Sequence, residues 1–265
     1  RQITAAGVAT TLPSFLSAQE KSASKMIWAN LLHLSFNMWG DHVSPELLNL
    51  SDNCTTCEEA TKWAYPNRPF LIFDEPAWTP EKLRAELAKM RKMGLEPIPK
   101  LNFATTHDIW LGEYSRMVST DKYYAVCRDL IGEIIEIFDT PRFFHLGMDE
   151  EDAGNQSNLN YAVIRRKDLW WGDLYFYIGE VEKRGVRSWV WSDYAWNYPD
   201  LFYKKMPKSV LQSNWYYYSA FDLSKMNDWS KTCLNLYNDL EAHGYDQLPT
   251  GSNWDNNQNM EATVD

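Results

Sequence analysis

From residue 20 onward, apolar runs of strand length alternate with stretches whose apolar residues recur at helical spacing, the signature of repeated β/α units. The first predicted strand is Ile27–Phe36, which runs out into Asn37, Trp39 and Asp41. A polar, turn-rich stretch over 44–68 precedes a second, buried strand at Pro69–Asp74. A helix follows with clear boundary signals: Thr79 as N-cap, Pro80 at the first helical position, Leu83, Leu87 and Met90 on one face, and Gly94 at the end. Leu95–Leu101 reads as a third strand, made irregular by its prolines, and leads into a long loop through His107 to Val118. Asp121–Phe138 is an amphipathic helix with Tyr124, Cys127, Ile131, Ile134, Ile135 and Phe138 on one side. The fourth strand, Arg142–Met148, runs straight into four consecutive acids, Asp149 to Asp152. A helix near 162–184 leads to the strand Arg187–Ser192, a short helical piece precedes Ser209–Ser213, and a helix near 228–243 precedes Tyr245–Thr250.

Seven strand candidates in β/α order point to a (β/α)8 TIM-type barrel over residues 20–265. No eighth strand is visible, so the barrel is incomplete, or truncated at its C-terminus, or its first strands are assigned wrongly. The rival architecture is a doubly wound open sheet, but no G-x-G-x-x-G follows any of these strands.

Composition narrows the partners. The 265 residues carry 26 basic and 36 acidic side chains, a net charge of -10, with no basic stripe, which argues against a nucleic-acid partner. The aromatic load is high, with 13 Trp, 15 Tyr and 11 Phe; part must be core, and the rest invites a ligand with flat faces. Residues 1–19 are small and apolar with no acid before Glu20, and read as the remnant of a secretory signal with Ala18 before the cleavage point. Arg1 fits the second arginine of a twin-arginine signal, so the expected location is periplasmic or secreted. No later segment reaches 18 consecutive apolar residues, so no membrane span is expected in the mature chain. Cys54 and Cys57 form a C-x-x-C that suits a disulfide loop, a redox pair or half a zinc site, whereas Cys127 and Cys233 stand alone. Neither a metal nor a cofactor is expected.

The chemistry of a barrel sits where its strands end. Those ends carry Asn102, His107 and Asp108 after strand three, Asp149 and Glu150 after strand four, and Trp191 and Asp193 after strand five. Asn214, Trp215 and Tyr216 follow strand six, and Ser252, Asn253 and Trp254 follow strand seven. Carboxylates, amides, one His and several Trp suit a carbohydrate: planar rings for the C–H faces of pyranosides, polar groups for hydroxyls, acids for the glycosidic oxygen. Within the acidic run, Asp149 and Glu150 are placed at the barrel mouth, with Glu151 and Asp152 turning outward. Crowded carboxylates raise one another's pKa, which holds one of them protonated as a general acid. Strand alternation puts His145 on the face of Asp149, either orienting it or packed in the core.

The segment Phe144–Glu150, FHLGMDE, resembles the H-x-G-G-D-E motif of family 20 glycoside hydrolases, the β-N-acetylhexosaminidases, with Met148 in place of the second Gly. Residues 94–107 resemble that family's third-strand segment, and SWVWSD and VLQSNWYYY resemble its later Trp-bearing strand ends. The likeness spans roughly residues 85–254 and has departures. Lys100 and Asn102 stand where the family has acids, Ala104-Thr105-Thr106 replaces a Pro-Gly approach to His107, and residues 40–75 match no family segment.

The resemblance implies a substrate-assisted retaining hydrolase. Glu150 would protonate the leaving oxygen, while Asp149 would orient the substrate's 2-acetamido group, whose carbonyl attacks C1. Trp191, Trp215 and Trp254 would enclose that group, and Tyr216 either hydrogen-bonds its carbonyl or packs. Two other readings stand beside this one. The first is a different two-carboxylate glycosidase pairing Glu150 with Asp193 or Asp108. The second is a non-catalytic carbohydrate-binding barrel; in the blandest case the Trp residues are core alone.

Overall fold

The computed structural model describes residues 80–157, 161–218, 220–252 and 258–264. The leader, the strands expected at Ile27–Phe36 and Pro69–Asp74, the N-cap Thr79, the Cys54–Cys57 pair and Trp254 lie outside the described residues.

The described chain runs α1 (Pro80–Lys92), a 3-10 helix (Ile109–Arg116), α2 (Asp121–Ile137), β1 (Phe143–His145), α3 (Asp168–Glu182), β2 (Arg187–Trp191) and α4 (Tyr194–Asn197). It continues through α5 (Pro199–Lys205), β3 (Leu211–Ser213), a 3-10 turn (Leu223–Lys225), α6 (Asp228–Ala242) and α7 (Asn259–Val264). The three strands form one parallel sheet in the order β1-β2-β3, with Phe144 opposite Ser188 and Val190 opposite Gln212. A further lane lies along each edge. On one side the proline-bearing segment pairs with β1, where His145 N donates to Pro99 O at 2.9 Å and Leu101 N to His145 O at 3.0 Å. On the other, Gln212 N donates to Asp246 O at 3.0 Å and Leu248 N to Gln212 O at 2.8 Å. Prolines at 97 and 99 remove two ladder donors, which is why the first lane registers as a single bridge, Lys100 to His145, and not as a strand. The lanes follow the predicted order of strands three to seven. Among the described residues they make an open arc of parallel sheet and not a closed barrel.

α2 and α6 form where the spacing predicts them. By contrast, α3 begins at Asp168 and not near 162, the loop after His107 holds a 3-10 helix, and Tyr123, not Tyr124, heads the buried stripe of α2. Thr120 caps α2 by accepting from Tyr123 N, and Tyr123, Cys127, Ile131 and Ile135 make a buried stripe at i, i+4 steps against α3. Asn227 caps α6 in the same way, accepting from Ser230 N at 2.8 Å, and α6 buries Cys233, Leu236 and Leu240. Gly94 ends α1 with φ +77, and Leu95 N reaches back to Met90 O at 3.1 Å. The core gathers Phe103, Phe144, Leu146, Trp171, Leu174, Tyr177, Val190 and Phe202 between sheet and helices. Cys127 and Cys233 are free, buried thiols, both pushed up to about 12 by burial. No described helix is long and apolar enough to cross a membrane.

One element of the arc is ionic. Arg165, just before α3, is buried and donates through Nη1 to Asp173 Oδ2 at 3.1 Å and to Tyr177 Oη at 3.0 Å. Its Nη2 donates to Phe103 O at 2.7 Å, and the guanidinium also chelates both oxygens of Glu151. Glu151 therefore does not turn outward as expected: its side chain is 5% exposed, because a buried guanidinium needs a buried counter-charge. Asp152 does face solvent, accepting from Asn155 N at 2.8 Å. Replacing Arg165 with Met should leave Glu151 and Asp173 as unpaired buried carboxylates and cost about 3–5 kcal/mol. The expected readout is a lower urea midpoint at unchanged slope, and a loss below about 1 kcal/mol would mean that the network is solvated.

Candidate active site

Beyond β1 the chain turns sharply, with φ of +72 at Gly147, +77 at Met148 and +56 at Glu150. The Asn102 carboxamide fastens this turn. Its Oδ1 accepts from Ala104 N and Met148 N, both at 3.1 Å, and its Nδ2 donates to Asp149 Oδ1 at 2.7 Å. A Cβ on residue 147 would lie 1.9 Å from that Oδ1, so Gly is required there for space as well as for conformation. Glu150 is held through its main chain. Its N–H donates to Asp193 Oδ2 at 3.0 Å, and its carbonyl accepts from Thr106 Oγ1 at 2.6 Å.

The two acids share one imidazole. His107 Nε2 lies 3.5 Å from Asp149 Oδ2 and 3.3 Å from Glu150 Oε2, with the ring wholly buried. Burial alone would lower its pKa, but Asp149 and Glu150 outweigh burial and raise it to about 9, so the ring is an imidazolium at neutral pH. Burial pushes Asp149 upward too, yet His107, Lys100 and the Asn102 amide overcome it and hold the carboxyl below the usual carboxylate range. Glu150 goes the other way: burial, with the charge of Asp149 beside it, raises its pKa against the pull of His107. Asp193 is pushed well up, first by burial and then by Asp149, and Asp108 rises to about 8 through burial despite Arg165. Lys100 is lowered to about 8 by burial, against the attraction of Asp149 and Glu150, and its Nζ sits 4.7 Å from the centroid of the Trp191 ring.

The other expected residues divide. Asn102, His107 and Asp193 join Asp149 and Glu150. His145 does not orient Asp149; its Nδ1 accepts from Gly147 N at 2.9 Å, and its ring packs against Trp189 and Trp191 at 4.7 and 4.5 Å. Burial holds His145 well below its ordinary pKa, consistent with a neutral core imidazole. Trp191 lines the site through Lys100, and its Nε1, like Asp193 Oδ1, has no hydrogen-bond partner among the described residues. Trp215 is half-buried and stacks on Tyr217 at 5.2 Å. Tyr216 points elsewhere, its hydroxyl donating to Ala220 O at 2.9 Å. The tyrosine near the acids is Tyr217, whose phenol is raised by burial and by Asp149 and Glu150. Extended alternation from Trp215 signals Tyr217, two residues on, where the expectation took the adjacent residue.

His107, Asp149 and Glu150 each offer one ligand atom, all within 4.8 Å of one another, a geometry that can hold a divalent cation. An imidazolium between two carboxylates satisfies the same charges.

No family model matches the chain, and no curated protein does. Among solved structures, it is similar to a family 20 exo-β-N-acetylglucosaminidase from Vibrio harveyi bound to N-acetylglucosamine, at 15% identity and a TM-score of 0.47, over 66% of this chain and 28% of that one. A chitobiase of the same family from Flavobacterium johnsoniae gives 15% identity and a TM-score of 0.48, over 68% of this chain and 29% of its own. The chain thus spans less than a third of the length of either, and the likeness is distant.

His107 binds its proton more tightly in the folded chain than in the unfolded one, where imidazole titrates near 6.5. Its contribution to stability is complete below that pH and is lost as the pH rises through about 9. Asp108, raised to about 8, acts in the same sense over the lower part of that window, and Lys100 opposes them only above about 8. The unfolding free energy should therefore fall between pH 6.5 and 8, less steeply in His107→Gln, and the ring resonances of His107 should titrate near 9 by NMR. A ring titrating at 6.5 would mean that the two acids do not flank it.

Proposed function

We propose that the chain is a glycoside hydrolase for N-acetylhexosamine-type sugars, working by substrate-assisted retention with Glu150 as general acid and Asp149 orienting the acetamido group. The observation that carries this reading is the split between two adjacent carboxyls. Asp149 is held ionised by His107, Lys100 and Asn102, while burial holds Glu150 toward its protonated form. Acid and base roles are assigned where environments drive neighbouring pKa values apart.

In the first step Glu150 gives its proton to the glycosidic oxygen as the C1–O bond breaks, and the acetamido carbonyl oxygen bonds to C1. The Asp149 carboxylate accepts from the acetamido N–H and balances the positive charge that develops on that group. In the second step water attacks C1, Glu150 takes back a proton from it, and the acetamido group is released with C1 configuration retained. Asn102 and His107 keep Asp149 in place through both steps. Trp191, Trp215 and Tyr217 supply the surfaces and the phenol for the sugar.

A two-carboxylate hydrolase is less well supported, because its second acid must be ionised. Asp193 is strongly disfavoured as an anion by burial, and Asp108 titrates at about 8.

Glu150→Gln should lower kcat on aryl N-acetyl-β-hexosaminides by about 10²–10⁴-fold while leaving N-acetylglucosamine binding within a few-fold. Fluorinating the substrate's N-acetyl group, which weakens its carbonyl as a nucleophile, should slow the wild-type enzyme steeply. Unchanged rates on fluorination would favour an enzyme carboxylate as nucleophile, and binding without any turnover would favour a carbohydrate-binding protein.

A further inference from the structure

A nitrogen and two carboxylate oxygens converge where the loop after the proline-bearing lane meets the turn after β1. His107 Nε2 lies 3.5 Å from Asp149 Oδ2 and 3.3 Å from Glu150 Oε2. Charge-assisted N–H···O bonds close to about 2.7–2.9 Å, so both contacts are long for an imidazole that donates to either acid. They match a different geometry. Zinc bonds of about 2.0–2.2 Å to nitrogen and oxygen set tetrahedral ligands about 3.3–3.6 Å apart. The ligand atoms of His107, Asp149 and Glu150 all stay within 4.8 Å of one another, and a cation between the two acids would draw them closer.

The surrounding groups hold these atoms in place without consuming them. Asn102 Nδ2 donates to Asp149 Oδ1 at 2.7 Å, so the carboxylate is fixed through one oxygen and presents the other to His107, as ligating carboxylates are held in metal sites. Glu150 is anchored by its main chain, on Asp193 and Thr106, so its carboxyl can close on an ion without moving the turn. Its side chain is 18% exposed against 0% for His107, which gives an ion its way in. Beside this set, Asp193 is buried, its Oδ2 accepts from Glu150 N, and its Oδ1 has no hydrogen-bond partner among the described residues. A zinc ion with three protein ligands keeps its fourth position for water, and a buried carboxylate oxygen beside Glu150 is an acceptor for that water. The imidazole decides the metal. Magnesium and calcium take oxygen shells, whereas one nitrogen and two carboxylates at tetrahedral spacing suit zinc.

We propose that His107 Nε2, Asp149 Oδ2 and Glu150 Oε2 hold a zinc ion in place of a shared proton, and that the bound zinc silences the hydrolase. The site stands on its own geometry; the silencing rests on the hydrolase reading. Each role in that reading uses an electron pair that the metal takes. A Glu150 carboxylate on zinc holds no proton for the leaving oxygen, and the Asp149 oxygen that Asn102 leaves open no longer accepts from the acetamido N–H. Binding releases any proton on Nε2 to solvent, so proton and metal are alternative occupants of one place. The ligands come from two separate stretches of sequence, so no Cys or His spacing announces them.

The test uses the full chain, stripped of metal with EDTA, and zinc itself. Calorimetry should show a zinc ion whose affinity falls in His107→Gln and in Glu150→Gln by more than the about 10–100-fold that loss of an outer partner costs a metal site. Cobalt in its place should give the intense visible absorption of a four-coordinate ion. By NMR the ring resonances of His107 should move as zinc is added, a readout that needs no variant and stands if either one unfolds. Zinc should abolish turnover of aryl N-acetyl-β-hexosaminides at the concentration that fills the site, and EDTA should restore it. A His107 ring that zinc leaves unmoved would overturn the site and leave the hydrolase reading standing. Zinc binding that survives both variants but is lost in Cys54→Ser would assign the ion to the C-x-x-C pair and overturn the site in the same way. Undiminished turnover with the site filled would overturn the silencing. A chain that binds zinc through these residues, yet hydrolyses no N-acetylhexosaminide when metal-free, would uphold the site and overturn the hydrolase reading.

Discussion

Asn102 ties the edge lane to the turn after β1 at the end of the ladder between them, which closes with Phe103 N donating to Leu146 O at 3.0 Å. One amide side chain accepts from main-chain N–H groups on both and donates to Asp149, so the turn after β1 and the turn toward His107 are set by the same group. Everything else in the site inherits that placement. With the turn fixed, Gly147 has no room for a side chain, and the main chain of Glu150 lands against Asp193 and Thr106. Asparagine suits the position because a carboxamide both accepts and donates. An ionised acid there could only accept, and it would repel Asp149.

The four consecutive acids show how a low-dielectric setting sorts like charges. Asp149 and Glu150 face the His107 imidazolium, Glu151 turns under the turn to Arg165, and Asp152 reaches solvent. Two buried cations on opposite sides of one short segment draw adjacent side chains apart. The separation has a functional consequence: because Glu151 is neutralised by Arg165, Asp149 and Glu150 need share only one imidazolium and one lysine. Asp193 and Asp108 are held toward neutral forms by burial, which keeps the local charge near balance.

Local signals were readable wherever they depend on neighbours in sequence. Most of the α2 stripe and the strand ends bearing Asp149, Glu150, Asp193 and Trp215 follow from spacing. Contacts between segments were not. Glu151 reads as outward until Arg165, fourteen residues later, is seen beneath it. His145 has the alternation of a site residue but is captured by Gly147 N and two indoles, and no periodicity reveals a side chain that bonds its own turn. Asn102 reads in sequence as a departure from an acidic position, and its three hydrogen bonds depend on the pairing of the edge lane with β1. The proline-bearing lane itself was legible as irregular, since each proline deletes a donor whatever surrounds it.

Met148 shows how far this site tolerates local strain. A residue with a Cβ at φ +77 costs about 1–2 kcal/mol relative to glycine. Its side chain is 2% exposed, and burying a methionine returns about 1.5–3 kcal/mol. The two terms are of similar size, so methionine can occupy a left-handed position that a glycine would adopt freely, provided that its side chain is packed. The packing is tied to the chemistry as well, because Met148 N donates to the same Asn102 oxygen that fixes the turn. Loosening the core beneath Met148 would therefore be felt first at Asp149, one residue on, whose carboxylate is held in place by a 2.7 Å contact with Asn102 and held ionised chiefly by His107. The strain sits beside Asp149 and Glu150 because that is where the chain must leave the strand abruptly, and it persists because core and amide together over-determine the turn.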